Sequence, residues 1–277
     1  MDPCKALGLL ALVWMSVVPA VLAADRPPGS AASTALVVTP IGPALAVEAD
    51  DGRTHVEYDL LVVNAFAGDV ALTSVEVTDP SGRALLRIDG DALAAATQTL
   101  LDQKPVKAIP ASGAAAVEVD LILPQGAAAP ERLSHRIAYA VPAPSPLTSM
   151  IADRVVLGPD IAVDRRPPIV ISAPLSGEGW AALNGCCFPN VHRSTRAGAA
   201  TRIAQPETFA IDWMRIEDGR IYRGDGKQNE DYPSFGSPIR SVAAGEVVAT
   251  RNDMPEEKPF EPPQAVKSAG DYGGNYV

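Results

Sequence analysis

His55-Val56-Glu57-Tyr58-Asp59-Leu60-Leu61-Val62-Val63-Asn64-Ala65-Phe66 decides the class of fold. Val56, Tyr58, Leu60 and Val62 alternate with Glu57 and Asp59. A period of two sets one face of a strand on a core and the other toward water. The pattern spreads outward from this stretch. Residues 70–78 continue it and run into the turn signal Asp79-Pro80-Ser81-Gly82. Residues 84–88 read as a short strand. Residues 91–101 are Ala-rich and read as a helix with Asp91 at its N-cap. Val117, Val119, Leu121 and Leu123 alternate with Glu118 and Asp120, and 132–141 and 154–163 supply two more strands. Seven or eight short strands at regular spacing predict an all-β fold whose residues 34–165 form an immunoglobulin-like β-sandwich. Such a module packs or binds, and no catalytic constellation stands out in it. His55 and His135 have no acids at ligand spacing in the sequence and read as ordinary strand histidines.

Arg165-Arg166-Pro167-Pro168 breaks the alternation, because a residue before proline is pushed out of helix into extended backbone. This reads as a linker, preferred over the earlier Pro142-Ala143-Pro144-Ser145-Pro146 because 154–163 still alternates like a last sandwich strand. A second domain is expected over 169–277. Its texture is irregular around Gly177, Gly179, Asn184 and Gly185. Phe209-Ala210-Ile211-Asp212-Trp213 then reads as a strand with a carboxylate between apolar neighbours, an arrangement that calls for a partner or a metal. Asp218-Gly219 marks a tight turn. Residues 237–250 read as two short strands around Ala244-Gly245, and 273–277 as the opening of another. Trp213 reads as core. The polar loop bearing Asp225, Asn229, Glu230 and Asp231 reads as solvated surface.

The first residues carry a charged start, an apolar run over 6–18, Pro19, and small residues before Asp25. Residues 1–23 therefore read as a secretory signal peptide, with Ala24 as the alternative cleavage point. The run falls short of the roughly 20 residues that span a bilayer, so an exported protein without a membrane span is expected, periplasmic or extracellular. After cleavage only Cys186 and Cys187 remain. Being adjacent, they admit either a strained vicinal disulfide or two reduced thiols. A net charge of −10, from 33 acids and 23 bases, argues against nucleic acid as a partner. A hydrophobic fraction of 47% excludes a disordered chain.

Three pieces of the last 70 or so residues, in order, resemble the lysostaphin/LytM-type zinc metallopeptidases, secreted enzymes that cut peptide cross-links of peptidoglycan. Phe209-Ala210-Ile211-Asp212-Trp213 is similar to the family's first metal motif. Gly236-Ser237-Pro238-Ile239 through Val242-Ala243-Ala244-Gly245-Glu246-Val247-Val248 is similar to its Gly-x-Pro-Val-x-Ala-x-x-Gly-x-Val-Val strand pair. Gly274-Asn275-Tyr276-Val277 is similar to its Gly-Asn-x-Val strand. The resemblance implies a β metallopeptidase domain, zinc as cofactor, peptidoglycan peptide stems as partner, and Asp212 as a zinc ligand.

Two departures qualify what the resemblance implies. The family places a His four positions before the Asp, and this sequence has Thr208, a poor zinc ligand. His192 replaces it in our reading, since His192-Arg193 resembles a segment found in relatives that share the Ala-Ile-Asp-Trp strand. The alternative is a surface histidine beside Arg193 and Arg196. The family's later His-x-His, which supplies the third ligand and a catalytic base, has no counterpart, and no histidine follows His192. The expectation is a C-terminally truncated chain of an exported zinc endopeptidase, holding the metal residues Asp212 and His192 but no catalytic residue, and inactive by itself. The other expectation is a non-catalytic LytM-like protein that binds or regulates cell-wall hydrolases.

Overall fold

The structure, a computed structural model, describes residues 33–49, 51–143, 145–185 and 190–277. The signal-peptide reading of 1–23 and the cysteines Cys186 and Cys187 lie outside these residues.

The described chain is mostly β. Its first part is a curled mixed sheet built from β1 (Leu36–Glu48), β2 (Thr54–Asn64), β3 (Ala71–Thr78), β4 (Ala84–Asp89), β5 (Thr97–Gln98), β6 (Ala114–Ile122), β7 (Arg132–Ala140), β8 (Val155–Leu157) and β9 (Ile161–Asp164). The strand order is β4-β3-β7-β9-β1-β2-β6-β5, with β8 beside β7. All pairs are antiparallel except β1 with β9, where Ala44 and Leu45 face Val163 and Asp164. The two ends of this order share one core. Val56, Leu60 and Val62 of β2 and Val117 and Val119 of β6 bury completely in the same cluster as Val75 and Val77 of β3 and Leu133 and Ile137 of β7. Tyr58 of β2 ties the two halves through its hydroxyl, 2.6 Å from His135 Nε2 on β7.

Two expectations in this part are corrected. The helix, α1, spans only Gly90–Ala96, with Asp89 at the N-cap position and no side-chain cap bond. Thr97 leaves helical geometry because it pairs with Val117 on β6, and its hydroxyl donates to Leu93 O at 2.7 Å. Sheet pairing of a β-branched residue outweighs the helical preference of the alanines before it. The strand expected over 154–163 is two strands, β8 and β9. Gly158-Pro159 separates them: proline has no N–H for the ladder, and beyond it the chain stays antiparallel to β7 while also pairing, in parallel, with β1.

β2 differs from a half-solvated strand in a more consequential way. His55, Glu57 and Asp59, its polar face, are buried along with the apolar one. The cover comes from far along the chain. A short helix α2 (Val191–Ser194) and the hairpin of β11 (Ala197–Ala199) and β12 (Arg202–Ala204) lie over this face.

The remaining strands are β10 (Trp180–Leu183) and β13 (Asp212–Arg215), an antiparallel pair with Leu183 opposite Asp212. Asp218 and Gly219, at φ 51 and 74, close a two-residue turn between Glu217 and Arg220, the geometry that Asp-Gly favours. The strands expected over 237–250 and 273–277 do not form. Residues 237–241 have no regular structure and 242–244 bend, with Ser172 N and Arg240 N bonded to Val242 O and Pro174 O. Val248 and Val277 are about nine-tenths exposed, and a single bridge joins Arg251 to Tyr276. A strand needs a neighbour paired over several residues, and among the described residues these isolated backbone bonds do not extend into a ladder. No helix among the described residues is long and apolar enough to cross a membrane.

Candidate functional site

Asp212 and His192 come together. Asp212 opens β13, and His192 sits in α2, twenty residues earlier. Asn190 places the helix: its side-chain oxygen accepts from His192 N at 2.9 Å and Arg193 N at 3.1 Å, an N-cap. His192 Nδ1 then lies 3.0 Å from Asn184 O and 3.1 Å from Ala210 O. Both are carbonyl acceptors, so the neutral ring carries its proton on Nδ1 and presents a bare Nε2. That nitrogen lies 3.4 Å from Asp212 Oδ1. The imidazole is largely buried, while the Asp212 side chain is about half exposed.

Asn184 holds both partners. It follows β10 at φ 55, a left-handed conformation that asparagine tolerates better than most residues. Its carbonyl accepts a hydrogen bond from His192 Nδ1, shared with Ala210 O. Its Nδ2 donates to Asp212 Oδ2 at 2.7 Å, leaving Oδ1 turned toward His192. Sequence reading did not single out Asn184 for this role, although Asn184-Gly185 is a turn signal.

This donor set fits a metal ion in part. A histidine that ligates metal through one nitrogen usually gives its other N–H to a carbonyl or carboxylate, as Nδ1 does. Two ligands about 2.0–2.1 Å from a tetrahedral ion lie roughly 3.3 Å apart, close to the separation of Nε2 and Oδ1. The pair supplies two protein ligands. Thr208 does not supply a third: its hydroxyl donates to Gln205 O at 3.2 Å. Trp213 and Trp180 are half-buried, and the Trp180 indole donates to Ser176 O. In the acidic loop, Asp225 and Asp231 accept from the backbone N–H groups of Lys227 and Gln228, so they shape the loop itself.

The same segment pins itself to the curled sheet. Arg193 and Arg196 are buried against the polar face of β2 and β6. Arg196 Nη2 lies 2.5 Å from Asp59 Oδ2 and 2.9 Å from Glu118 Oε1, and Ser194 Oγ donates to the same Glu118 oxygen. Arg193 Nη2 donates to Val119 O at 2.8 Å, and Gln205 Nε2 to Asp59 Oδ2. Burial pushes the Asp59 carboxyl above the usual carboxylate range, and Arg196 and Arg193 oppose that push. The arginines thus compensate charges that would otherwise be expensive to enclose. They also fix the helix that carries His192. A cavity of about 380 Å³ lies between this segment and the Gly42-Pro43 bend of β1, with Glu57 and Asp59 in its wall.

His135 is a structural residue, held by Tyr58 and by Pro159 O, 2.8 Å from Nδ1. His55 is not the solitary histidine that the sequence reading expected. It is buried with Asp51, Glu57 and Asp120 around it. These acids meet across a turn and a strand pair, where linear spacing does not show them.

No protein-family model matches this chain, and no curated protein matches it.

Proposed function

We propose that the chain is part of an exported zinc metalloendopeptidase of the lysostaphin/LytM type, acting on the peptide stems of peptidoglycan, and that His192 and Asp212 are two of its zinc ligands. The observation that carries the reading is the His192–Asp212 pair, with Nδ1 committed to two carbonyls and Nε2 directed at Asp212 Oδ1. A zinc ion so held would polarise a scissile carbonyl and activate water. The protein's own part is orientation: Asn184 sets the Asp212 carboxylate, Asn190 sets the helix, and Arg193 and Arg196 hold that helix on the sandwich. The strand order β5-β6-β2-β1 on one side and β4-β3-β7-β8 on the other, joined by β9 running parallel to β1, supports the immunoglobulin-like reading of the accessory domain.

Thr208 favours a second reading. It stands where the family has a histidine, and its hydroxyl is bonded to Gln205 O. On that reading the domain binds wall peptides or partner hydrolases without cutting.

Incubation of the chain with purified sacculi, with zinc and with a chelator, separates the two. Zinc-dependent, chelator-sensitive co-sedimentation supports the zinc-enzyme reading. Co-sedimentation indifferent to zinc and chelator supports the binding protein. No co-sedimentation under either condition overturns both. Zinc content after equilibrium dialysis tests the ligands: His192→Ala and Asp212→Asn should each lose bound zinc relative to wild type, and undiminished zinc in both variants would remove them from the site.

A further inference from the structure

The outer face of β2 and β6 repeats one motif twice. Asp59 stands directly opposite Glu118, and two residues along the ladder, on the same face, Glu57 stands directly opposite Asp120. Like charges facing each other across a strand pair are destabilising unless a cation lies between them. The first pair has that cation: the Arg196 guanidinium touches both acids. At the second, Arg193 Nη1 approaches Glu57 Oε1 from one side, at 4.0 Å. Beside the second pair stands His55, two residues before Glu57 and on the same face.

His55 is 7% exposed. Its Nε2 lies 3.2 Å from Asp51 Oδ2 in the β1–β2 turn, a carboxylate that accepts the Nε2 proton. Its Nδ1 has no hydrogen-bond partner and faces Asp120 Oδ1 at 3.5 Å. One ligand atom each from His55, Glu57 and Asp120 lies within 4.8 Å of the others. Ligands of a tetrahedral ion sit roughly 3.3 Å apart, so side-chain adjustments of about 1 Å would close the three atoms onto one ion. An imidazole whose far nitrogen is bonded to a carboxylate is the usual arrangement behind a metal-bound histidine.

We propose that His55, Glu57 and Asp120 form a structural binding site for a divalent transition-metal ion, separate from the His192–Asp212 pair, with Asp51 orienting His55. One imidazole and two carboxylates suit zinc or manganese better than calcium or magnesium, which take all-oxygen sets. The ion would sit between Glu57 and Asp120 on the His55 side, opposite the Arg193 guanidinium that approaches Glu57. His55 and Asp51 also line a cleft of about 1010 Å³ between β1 and the linker around Pro167 and Pro168, which gives the ion a route in.

The test uses the full chain with its cysteines alkylated, in a His192→Ala/Asp212→Asn background that removes the other pair. After chelation and dialysis against zinc chloride, the background protein should retain about one equivalent of zinc and melt at a higher temperature with the ion than without it. Adding Asp120→Asn should weaken zinc binding by about tenfold or more and abolish the thermal shift. His55→Gln should do the same and serves if the first variant does not fold. Circular dichroism without metal checks that each variant has the parent's fold. A folded background protein that takes up no zinc, or a folded Asp120→Asn or His55→Gln variant that binds zinc as tightly as its parent, would overturn the proposal. Because both proposed ligands of the first site are absent throughout, failure of that site leaves this result unchanged.

Discussion

Arg196 and Asp59 are 137 residues apart in the chain and in contact through two hydrogen bonds, Nε and Nη2 to Oδ2, with neither side chain exposed. This contact turns a strand face that reads as solvated into an interior one. It also fixes, relative to the curled sheet, the short helix α2 on which His192 sits.

Removing one member of a buried ion pair leaves the other charged and unpaired, so Arg196→Ala should cost about 3–5 kcal/mol in urea-induced unfolding. Amide exchange should speed up over 191–205. The pair Arg166–Asp164, whose arginine is almost wholly exposed, is the control: Arg166→Ala should leave the melting temperature unchanged. A loss at Arg196 no larger than that at Arg166 would show that the buried contact does not hold the segment.

His135 gives the fold a pH dependence. Burial lowers its pKa below the ordinary value, with the Pro159 carbonyl and Asp160 opposing. The folded state therefore keeps the ring neutral while the unfolded chain takes up a proton below about 6.5. The stability this contributes is complete above that pH and falls as the pH drops toward the folded pKa. Urea midpoints should decline between about pH 7.5 and pH 5.5, a window above the ordinary carboxylate range. The decline should be shallower in His135→Gln, and equal slopes in the two proteins would refute the assignment.

Asn184→Gly keeps the left-handed backbone that the turn requires while removing the amide that orients Asp212. Zinc affinity at the His192–Asp212 pair should fall about 10- to 100-fold, as expected when a partner behind a metal ligand is lost. Competition with a chelating dye in the Asp120→Asn background measures it. Unchanged affinity would mean that Asp212 needs no support from Asn184.

Gly158 marks the crossing from β8 to β9, and a methyl group there would lie 2.8 Å from His135 Cβ and 2.9 Å from Ile137 Cδ1. Gly158→Ala should destabilise by about 1–3 kcal/mol through overpacking. A melting temperature equal to that of wild type would show that β7 yields without cost.

The sequence by itself determined four central strands of the first part. Alternation at 55–66, 70–78, 117–123 and 132–141 marks β2, β3, β6 and β7, because a pleated strand with one buried face must repeat every two residues. It also marked Asp212 as a carboxylate in need of a partner and, through a resemblance, named His192. Only the tertiary structure decided the rest. Alternation says which face is polar and nothing of what covers it, so the burial of Glu57, Asp59 and Glu118 waited on arginines more than 70 residues away. Asp120 meets His55 only through the pairing of β6 with β2, and Asp51 only through the turn before β2. The segments 237–250 and 273–277 carry strand-like patterns yet pair with nothing that would make them strands. A pattern states what a segment can bury, but strand formation and ion pairing need a partner in space, and that partner is supplied by the fold.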